Sequence, residues 1–246
     1  MKFQRSHLLI AMACAWLTAC TPPGAREAPL ILLLAGTGAS PNDVRATEAI
    51  LRGMDLRYAV VDSPGLNGMN DAEFRRFKLM IVPGGNYLTL ASSLTPATAA
   101  KIHDAVQEGL NYLGICAGGL LVGNASTNSP NLTQGVRVRF YSAVNHGIHK
   151  AAVPIACVGT PALEHYWEDG PQFTGWGEVV GKYPDGTPAI AQGASGKGWV
   201  LLSGVHPEAP ESWRRGMGFT APARLANAYA ETLIDAALNR TQLPHF

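Results

Sequence analysis

Short, uninterrupted apolar runs that alternate with helix-like segments are the feature that most constrains the fold of this chain. Five such runs cover residues 30–35, 58–61, 79–82, 112–115 and 198–202. A strand that is apolar at nearly every position is buried on both faces, as in a parallel sheet covered by helices. The alternation therefore predicts an α/β fold, built on a doubly wound, mainly parallel sheet with helices on both faces.

Capping residues and turns organise the rest of the sequence. Ser-Pro at 40–41 and Thr-Pro at 95–96 supply the cap and first-turn residues of two helices, and a third helix is predicted near the C-terminal end. Residues 126–197 differ, because short segments such as 136–140 and 153–158 lie between Gly/Pro turns. This region predicts an antiparallel insertion.

The N-terminal residues predict an export signal that is separate from the fold. Two basic residues precede an apolar run at 8–16 that is too short to span a bilayer. Leu-Thr-Ala-Cys at 17–20 resembles a bacterial lipobox, which implies cleavage before Cys20 and acylation of that cysteine; an ordinary signal peptide is the alternative. We predict a signal peptide over residues 1–19, a Pro-rich tether over 20–29 and one domain over 30–246.

The lipobox also predicts where the protein resides. Several acyl chains on Cys20 would anchor it stably to a membrane. Thr21 rather than Asp after the cysteine favours the outer membrane. We therefore expect a protein of the bacterial cell envelope that is lipid-anchored and faces the periplasm.

Composition and motifs exclude several classes of function. The chain has 19 Lys+Arg against 18 Asp+Glu, a formal net charge of +1, which argues against a nucleic-acid partner. Its four cysteines are too few for a disulfide scaffold and lack the CxxC spacing of a zinc site. A phosphate-binding loop and a dinucleotide fingerprint are also absent from the sequence. We expect no cofactor and no metal.

Gly-Ile-Cys-Ala-Gly-Gly at 114–119 follows a predicted strand and precedes an apolar helix. Such a sharp turn strains its central residue and requires small neighbours. It makes Cys116 a candidate nucleophile, since free N–H groups at a helix N-terminus favour a thiolate. The alternative is a buried cysteine in a Gly-rich turn.

An oxyanion on the substrate would need two backbone donors beside Cys116. The Ala117 N–H is one candidate. Gly84 or Gly85 could supply the other, because both follow the strand at 79–82 and ligands bind at the carboxyl ends of parallel strands.

His206 is the candidate base, because it follows the predicted strand at 198–202 and lies at the same sheet edge. Glu208 can turn back to orient the imidazole. A loop histidine near a surface glutamate is the alternative. His146, His149 and His165 are weaker candidates for the base.

These segments carry a family resemblance. Residues 82–85, 112–119 and 203–208 resemble, in order, the three signature segments of class I glutamine amidotransferase-like domains, which have a flavodoxin-like fold and Cys-His-Glu triads. Tyr-Trp-Glu-Asp-Gly-Pro-Gln-Phe at 166–173 is similar to a segment of the N-terminal domain of yeast-type biotin–protein ligases. The resemblance implies Cys116 as the nucleophile, His206 as the base and Glu208 as the group that orients it. It also implies Gly85 and Ala117 as the oxyanion donors.

Two functions remain open at this point. The first is an exported hydrolase that cleaves an amide or related acyl bond of a small-molecule or peptide-like substrate through a thioester, with a pocket shaped by Tyr166, Gly170, Pro171 and Phe173. The second is a non-catalytic binding module that retains the fold. Because no ligase or synthetase domain accompanies these motifs, we expect neither biotinylation nor glutamine-dependent transfer. The sequence leaves the oligomeric state open.

Overall fold

A computed structural model describes residues 30–123 and 128–246. The predicted signal peptide, Cys20 and the predicted tether lie outside the described residues. Within the described ranges, no helix is both long and apolar enough to cross a membrane.

Nine strands form one twisted sheet in the order β2-β1-β3-β4-β11-β10-β9-β6-β7, and β5 and β8 form a separate ribbon. The strands are β1 Ile31–Leu34, β2 Tyr58–Val61, β3 Leu79–Val82, β4 Asn111–Ile115, β5 Arg139–Phe140, β6 Lys150–Cys157, β7 Leu163–Glu168, β8 Pro171–Gln172, β9 Glu178–Lys182, β10 Pro188–Ser195 and β11 Gly198–Ser203. The first five strands of this order pair in parallel, and the other four extend the sheet in antiparallel fashion.

Eight α-helices and one 3₁₀ helix, Ser142–His146, connect the strands in the described part of the chain. The α-helices are α1 Pro41–Gly53, α2 Ser63–Gly68, α3 Asp71–Phe74, α4 Tyr87–Ser93, α5 Pro96–Glu108, α6 Ala117–Leu121, α7 Glu211–Arg214 and α8 Ala223–Asn239.

Alternate residues of the parallel strands face two separate hydrophobic cores, as the period of a strand requires. Ile31 and Leu33 of β1 pack in one core with residues of α1 and α8. Leu32 and Leu34 pack in the other core with residues of α2 to α6. This arrangement confirms the predicted flavodoxin-like fold class: a doubly wound, mainly parallel sheet, helices on both faces and an antiparallel extension.

Two local predictions differ from the structure. Helices α2 and α4 were not predicted, although Asp62 and Asn86 cap them through side-chain hydrogen bonds. The strand predicted over 136–140 is wrong in extent, because only β5 pairs, with β8. Residues before β5 instead close a turn in which the Val136 N–H donates to the Thr133 carbonyl at 3.0 Å.

Gly118 lets α6 approach β3 closely. A Cβ atom at this position would overlap the Val82 carbonyl oxygen. We predict that Gly118→Ala lowers the free energy of unfolding by about 1–3 kcal/mol, the usual cost of overpacking. Urea denaturation measures this change. Gly53→Ala is the control, since a Cβ there meets nothing within 4 Å, and its stability should equal or slightly exceed wild type. Equal stability of the two variants would contradict the prediction.

Candidate active site

Three parallel strands bring the predicted triad to one edge of the sheet. Cys116 follows β4, His206 follows β11, and the loop containing Gly84 and Gly85 follows β3. Since these strands are neighbours in the sheet, their carboxyl ends converge. Cys116, His206 and Gly85 line one cleft with a volume of about 540 Å³.

Cys116 has the strained backbone predicted for a nucleophile elbow. Its φ of 49° and ψ of −106° lie outside the regions that non-glycine residues favour. The turn is held on both sides, because the Cys116 N–H donates to the Ser203 carbonyl at 2.8 Å and the Tyr112 hydroxyl donates to the Gly118 carbonyl at 2.9 Å. At Gly114, a Cβ atom would lie 2.6 Å from the Gly118 oxygen. Only small residues fit around this turn.

The helix after Cys116 has five residues. Its dipole can contribute little to stabilising a thiolate, because the macrodipole sums over aligned peptide units. The thiol itself is directed to the Glu168 carbonyl at 3.5 Å. His206 is the basic group that interacts with Cys116 at this turn.

His206 is buried and fixed by its surroundings. Its backbone N–H donates to the Tyr166 carbonyl at 2.8 Å. The imidazole ring contacts the rings of Tyr166 and Trp213 edge-on, at centroid distances of 5.6 and 6.1 Å. Nδ1 lies 2.9 Å from Glu208 Oε1, in hydrogen-bonding geometry. Because Nδ1 is engaged, Nε2 remains as the nitrogen that can exchange a proton with Cys116. The structure thus brings together the three predicted triad residues.

Asp43 is a fourth ionisable residue at this site, and it was not predicted. Its Oδ1 lies 3.0 Å from the same Nδ1 of His206. Nδ1 is hydrogen-bonded to Glu208 Oε1, and Asp43 Oδ1 forms an ion pair with the same ring. Asp43 occupies the first turn of α1, where its N–H donates to the Ser40 side chain. The sequence signal that could have identified Asp43 is an acidic residue in the first helical turn after a strand.

The pKa values at this site follow from burial and close charges. Burial alone would lower the pKa of His206, but Cys116, Glu208 and Asp43 hold it well above its ordinary value. Burial raises the pKa of Glu208, and the Asp43 charge adds to this rise while His206 opposes it. Burial would also raise the pKa of Asp43, yet His206 and Ser40 outweigh burial and lower it. Asp43 is thus the more readily ionised carboxylate.

Of the predicted oxyanion donors, Gly85 lines the cleft, and Ala117 follows the cleft residue Cys116 as the first residue of α6. Among the described residues, the N–H groups of Gly85 and Ala117 donate to no protein acceptor, so both remain available. Gly84 has a different position: a Cβ there would overlap Asp43 Oδ1 and lie 2.6 Å from His206 Cε1. Gly84 therefore makes room for the contact between Asp43 and His206.

The four residues predicted to shape the substrate pocket lie beside or behind the elbow. Tyr166 contacts His206 and donates to Glu168 Oε2 at 2.5 Å. Phe173 is buried in the core, 3.1 Å from where a Gly119 Cβ would lie. Gly170 and Pro171 pack close to the Gly204 backbone. None of the four is among the described residues that line the cleft. Tyr166 lines the neighbouring depression with Asp43 and Glu168, and Pro171 and Phe173 lie against Gly119 of α6.

The remaining histidine and cysteine candidates lie apart from the triad. His165 is buried against Tyr229, and burial lowers its pKa to about 3, so it is neutral. His149 is exposed and pairs with Asp169 at 2.7 Å, and His146 ends the 3₁₀ helix. Cys157 is free, as is Cys116, and its Sγ lies 3.4 Å from the Tyr229 hydroxyl.

Asp43, His206 and Glu208 offer three ligand atoms within 4.8 Å of one another. The Nδ1 of His206 that would bind a cation already donates to Glu208. The two carboxylates serve to orient the imidazole of His206, so this cluster does not change our expectation that the site binds no metal.

We predict that Asp43→Asn slows alkylation of Cys116 by iodoacetamide roughly tenfold at neutral pH, equivalent to about 1.4 kcal/mol. Removing a carboxylate that raises the His206 pKa lowers that pKa, so the imidazolium is lost at lower pH and the partner thiolate is less stabilised. Because rising pH deprotonates the thiol in both proteins, the deficit should shrink as the pH rises. Mass spectrometry of the Cys116 peptide measures the rate.

Glu48→Gln is the matched control for this prediction. Glu48 lies on the same helix, pairs with Arg52 at 3.5 Å and does not line the cleft. Its variant should alkylate at the wild-type rate. An Asp43→Asn protein that reacts as fast as the Glu48→Gln protein would show that Asp43 does not act on His206.

Sequence and structure comparisons identify the relatives of this chain. The family described as "Biotin-protein ligase, N terminal" matches residues 30–129. A search of curated proteins gave no significant match. A crystal structure of a glutamine amidotransferase is 20% identical, with 82% of this chain and 97% of that chain covered and a TM-score of 0.58.

Two glycosidase structures contain a similar fold within longer chains. An exo-β-1,4-mannosidase from an Opitutaceae bacterium is 13% identical, with 84% of this chain and 36% of that chain covered and a TM-score of 0.54. A β-galactosidase from Bacillus circulans is 12% identical, with 89% of this chain and 32% of that chain covered and a TM-score of 0.53. At these identities the likeness concerns the fold alone. The chain therefore shares the fold of the glutamine amidotransferase structure, and its residues 30–129 are similar to the biotin-protein ligase N-terminal family.

Proposed function

We propose that this protein is an exported, lipid-anchored hydrolase that cleaves an amide or related acyl bond through a thioester on Cys116. The observation that carries the proposal is the strained elbow at Cys116 beside a buried His206 whose Nδ1 is held by Glu208 and Asp43. A nucleophile, a base and an orienting group in contact are the arrangement that covalent catalysis requires.

The reaction has two steps. His206 and Cys116 form an imidazolium–thiolate pair, and the thiolate attacks the carbonyl carbon so that an S–C bond forms. The N–H groups of Gly85 and Ala117 stabilise the oxyanion. The C–N bond then breaks, and the amine leaves with the proton from His206. His206 next takes a proton from water as the water oxygen attacks the thioester. The S–C bond then breaks, which releases the acid and restores the imidazolium–thiolate pair.

The position of the proposed anchor is compatible with this activity. Leu30 precedes β1 at its amino end, whereas the cleft lies at the carboxyl ends of the parallel strands. A tether over 20–29 would join the domain at the edge opposite the cleft. An anchored protein would keep its cleft open to the aqueous phase.

We predict that Cys116→Ala abolishes turnover of amide or ester substrates and labelling by electrophilic amide probes. The reason is that the Sγ atom of Cys116 is the only nucleophile proposed to form the thioester intermediate. Activity-based profiling with a panel of such probes measures both, and Cys157→Ala is the matched control because it removes the other free cysteine of the described chain. Full turnover by Cys116→Ala would contradict the hydrolase, and a thiol that reacts like free cysteine without dependence on His206 would favour the binding module.

We predict that Cys20→Ser abolishes acylation of the N-terminus and releases the protein from the membrane fraction, because the thiol carries the proposed lipid. Expression in a bacterium that processes lipoproteins, followed by fractionation and mass spectrometry of the N-terminal peptide, measures both effects. Cys14→Ser, in the predicted signal peptide, is the control and should remain acylated. Retention of acyl mass in Cys20→Ser would contradict the anchor.

A further inference from the structure

We propose that the cleft selects amides that carry an apolar group beside the scissile bond, and that it does not select free glutamine. This substrate class rests on the proposed hydrolase function and makes it more specific. It follows from the apolar side chains that line the cleft and from the charged groups that line it.

One side of the cleft is an apolar wall, formed by Tyr87, Leu88, Leu120, Phe140 and Val144. Leu88 is 58% exposed and Phe140 is 42% exposed, which places both among the seven large apolar side chains that are exposed within the described residues. The Tyr87 ring contacts the Phe140 ring edge-on at 5.8 Å. Clustered apolar groups left open to water at the mouth of a cavity are typical of a ligand-binding surface.

The apolar wall is continuous with the proposed catalytic groups. Leu88 lies in α4, directly after the loop that presents Gly85, and Leu120 lies in α6, directly after Cys116. A group bound on the wall would therefore be close to the bond that Cys116 attacks. The cleft volume of about 540 Å³ suits a small molecule with one such group.

Three carboxylate residues, Asp43, Glu168 and Asp169, also line the cleft, and no lysine or arginine of residues 30–123 and 128–246 does so. Asp43 pairs with His206 and Asp169 pairs with His149. Lys150 lines a neighbouring depression, where its Nζ is paired with Glu168 at 3.1 Å. Free glutamine carries an α-carboxylate, which proteins usually bind through a cation. Among the described residues that line the cleft, no lysine or arginine is placed to bind an α-carboxylate, so the apolar wall favours an amide with an apolar substituent.

Two chloroacetamides test this selectivity on the full-length protein. N-benzylchloroacetamide and N-methylchloroacetamide have the same reactive group: the thiolate forms an S–C bond and chloride leaves. Rates are measured at Cys116 by peptide mass spectrometry and divided by the rates with glutathione. We expect the benzyl reagent to react about tenfold faster than the methyl reagent after this correction, the scale expected for burial of one ring.

Variants of the apolar wall locate the preference. Leu88→Ala and Phe140→Ala should each lower the benzyl-to-methyl ratio, taken within each variant, by about threefold or more. Both residues are exposed, so each variant should remain folded. Leu225→Ala is the matched control, because Leu225 is 41% exposed on α8 and does not line the cleft. In a competition arm, phenylacetamide should slow labelling more than L-glutamine at equal concentration.

The outcomes separate this inference from the function on which it rests. Rapid labelling of Cys116 with a ratio near one, or a ratio unchanged in both wall variants, overturns the apolar preference and leaves the hydrolase standing. Stronger protection by L-glutamine than by phenylacetamide also overturns it. Labelling of Cys116 no faster than glutathione by either reagent contradicts the hydrolase and the substrate class together.

Discussion

The backbone of Cys116 is held in a conformation that residues with a side chain rarely adopt, at φ 49°. Such a residue costs on the order of 1–3 kcal/mol, so the surrounding structure must enforce it. Pairing of β4 with β3 and β11 fixes the approach to the turn, and the Cys116 N–H is bonded to β11. Glycines at 114 and 118 then let α6 pack against the strands. The position of the thiol at the cleft depends on this enforced turn.

Charge balance around His206 is the second constraint on the site. An imidazolium buried in the protein is costly unless close anions compensate it. Two carboxylates approach the same nitrogen, one from the loop after β11 and one from α1, at 2.9 and 3.0 Å. A five-residue helix after Cys116 contributes little field of its own. His206 therefore links the two carboxylates to the thiol of Cys116. The charge of the carboxylates influences the protonation of His206, which contacts the thiol.

The parts of the fold and of the site that depend on local sequence could be predicted. Apolar runs predicted the parallel strands, and Gly-Ile-Cys-Ala-Gly-Gly after β4 predicted the elbow. Asp43 escaped prediction because its role depends on how α1 leaves β1, which no short motif specifies. The apolar wall escaped it as well, since Leu88 and Phe140 are 52 residues apart in the numbering and meet only through α4 and the β5–β8 ribbon. The aromatic segment at 166–173 was predicted to face substrate, yet its tertiary contacts place Phe173 beneath the elbow.

The coupling between Cys116 and His206 is the central claim, and an NMR titration of the His206 imidazole tests it most directly. In the wild-type protein the His206 pKa should lie well above its ordinary value, because the nearby thiolate and carboxylates stabilise the imidazolium. In Cys116→Ala one of these charges is removed, and the His206 pKa should fall. A His206 pKa that is the same in the two proteins would contradict the account.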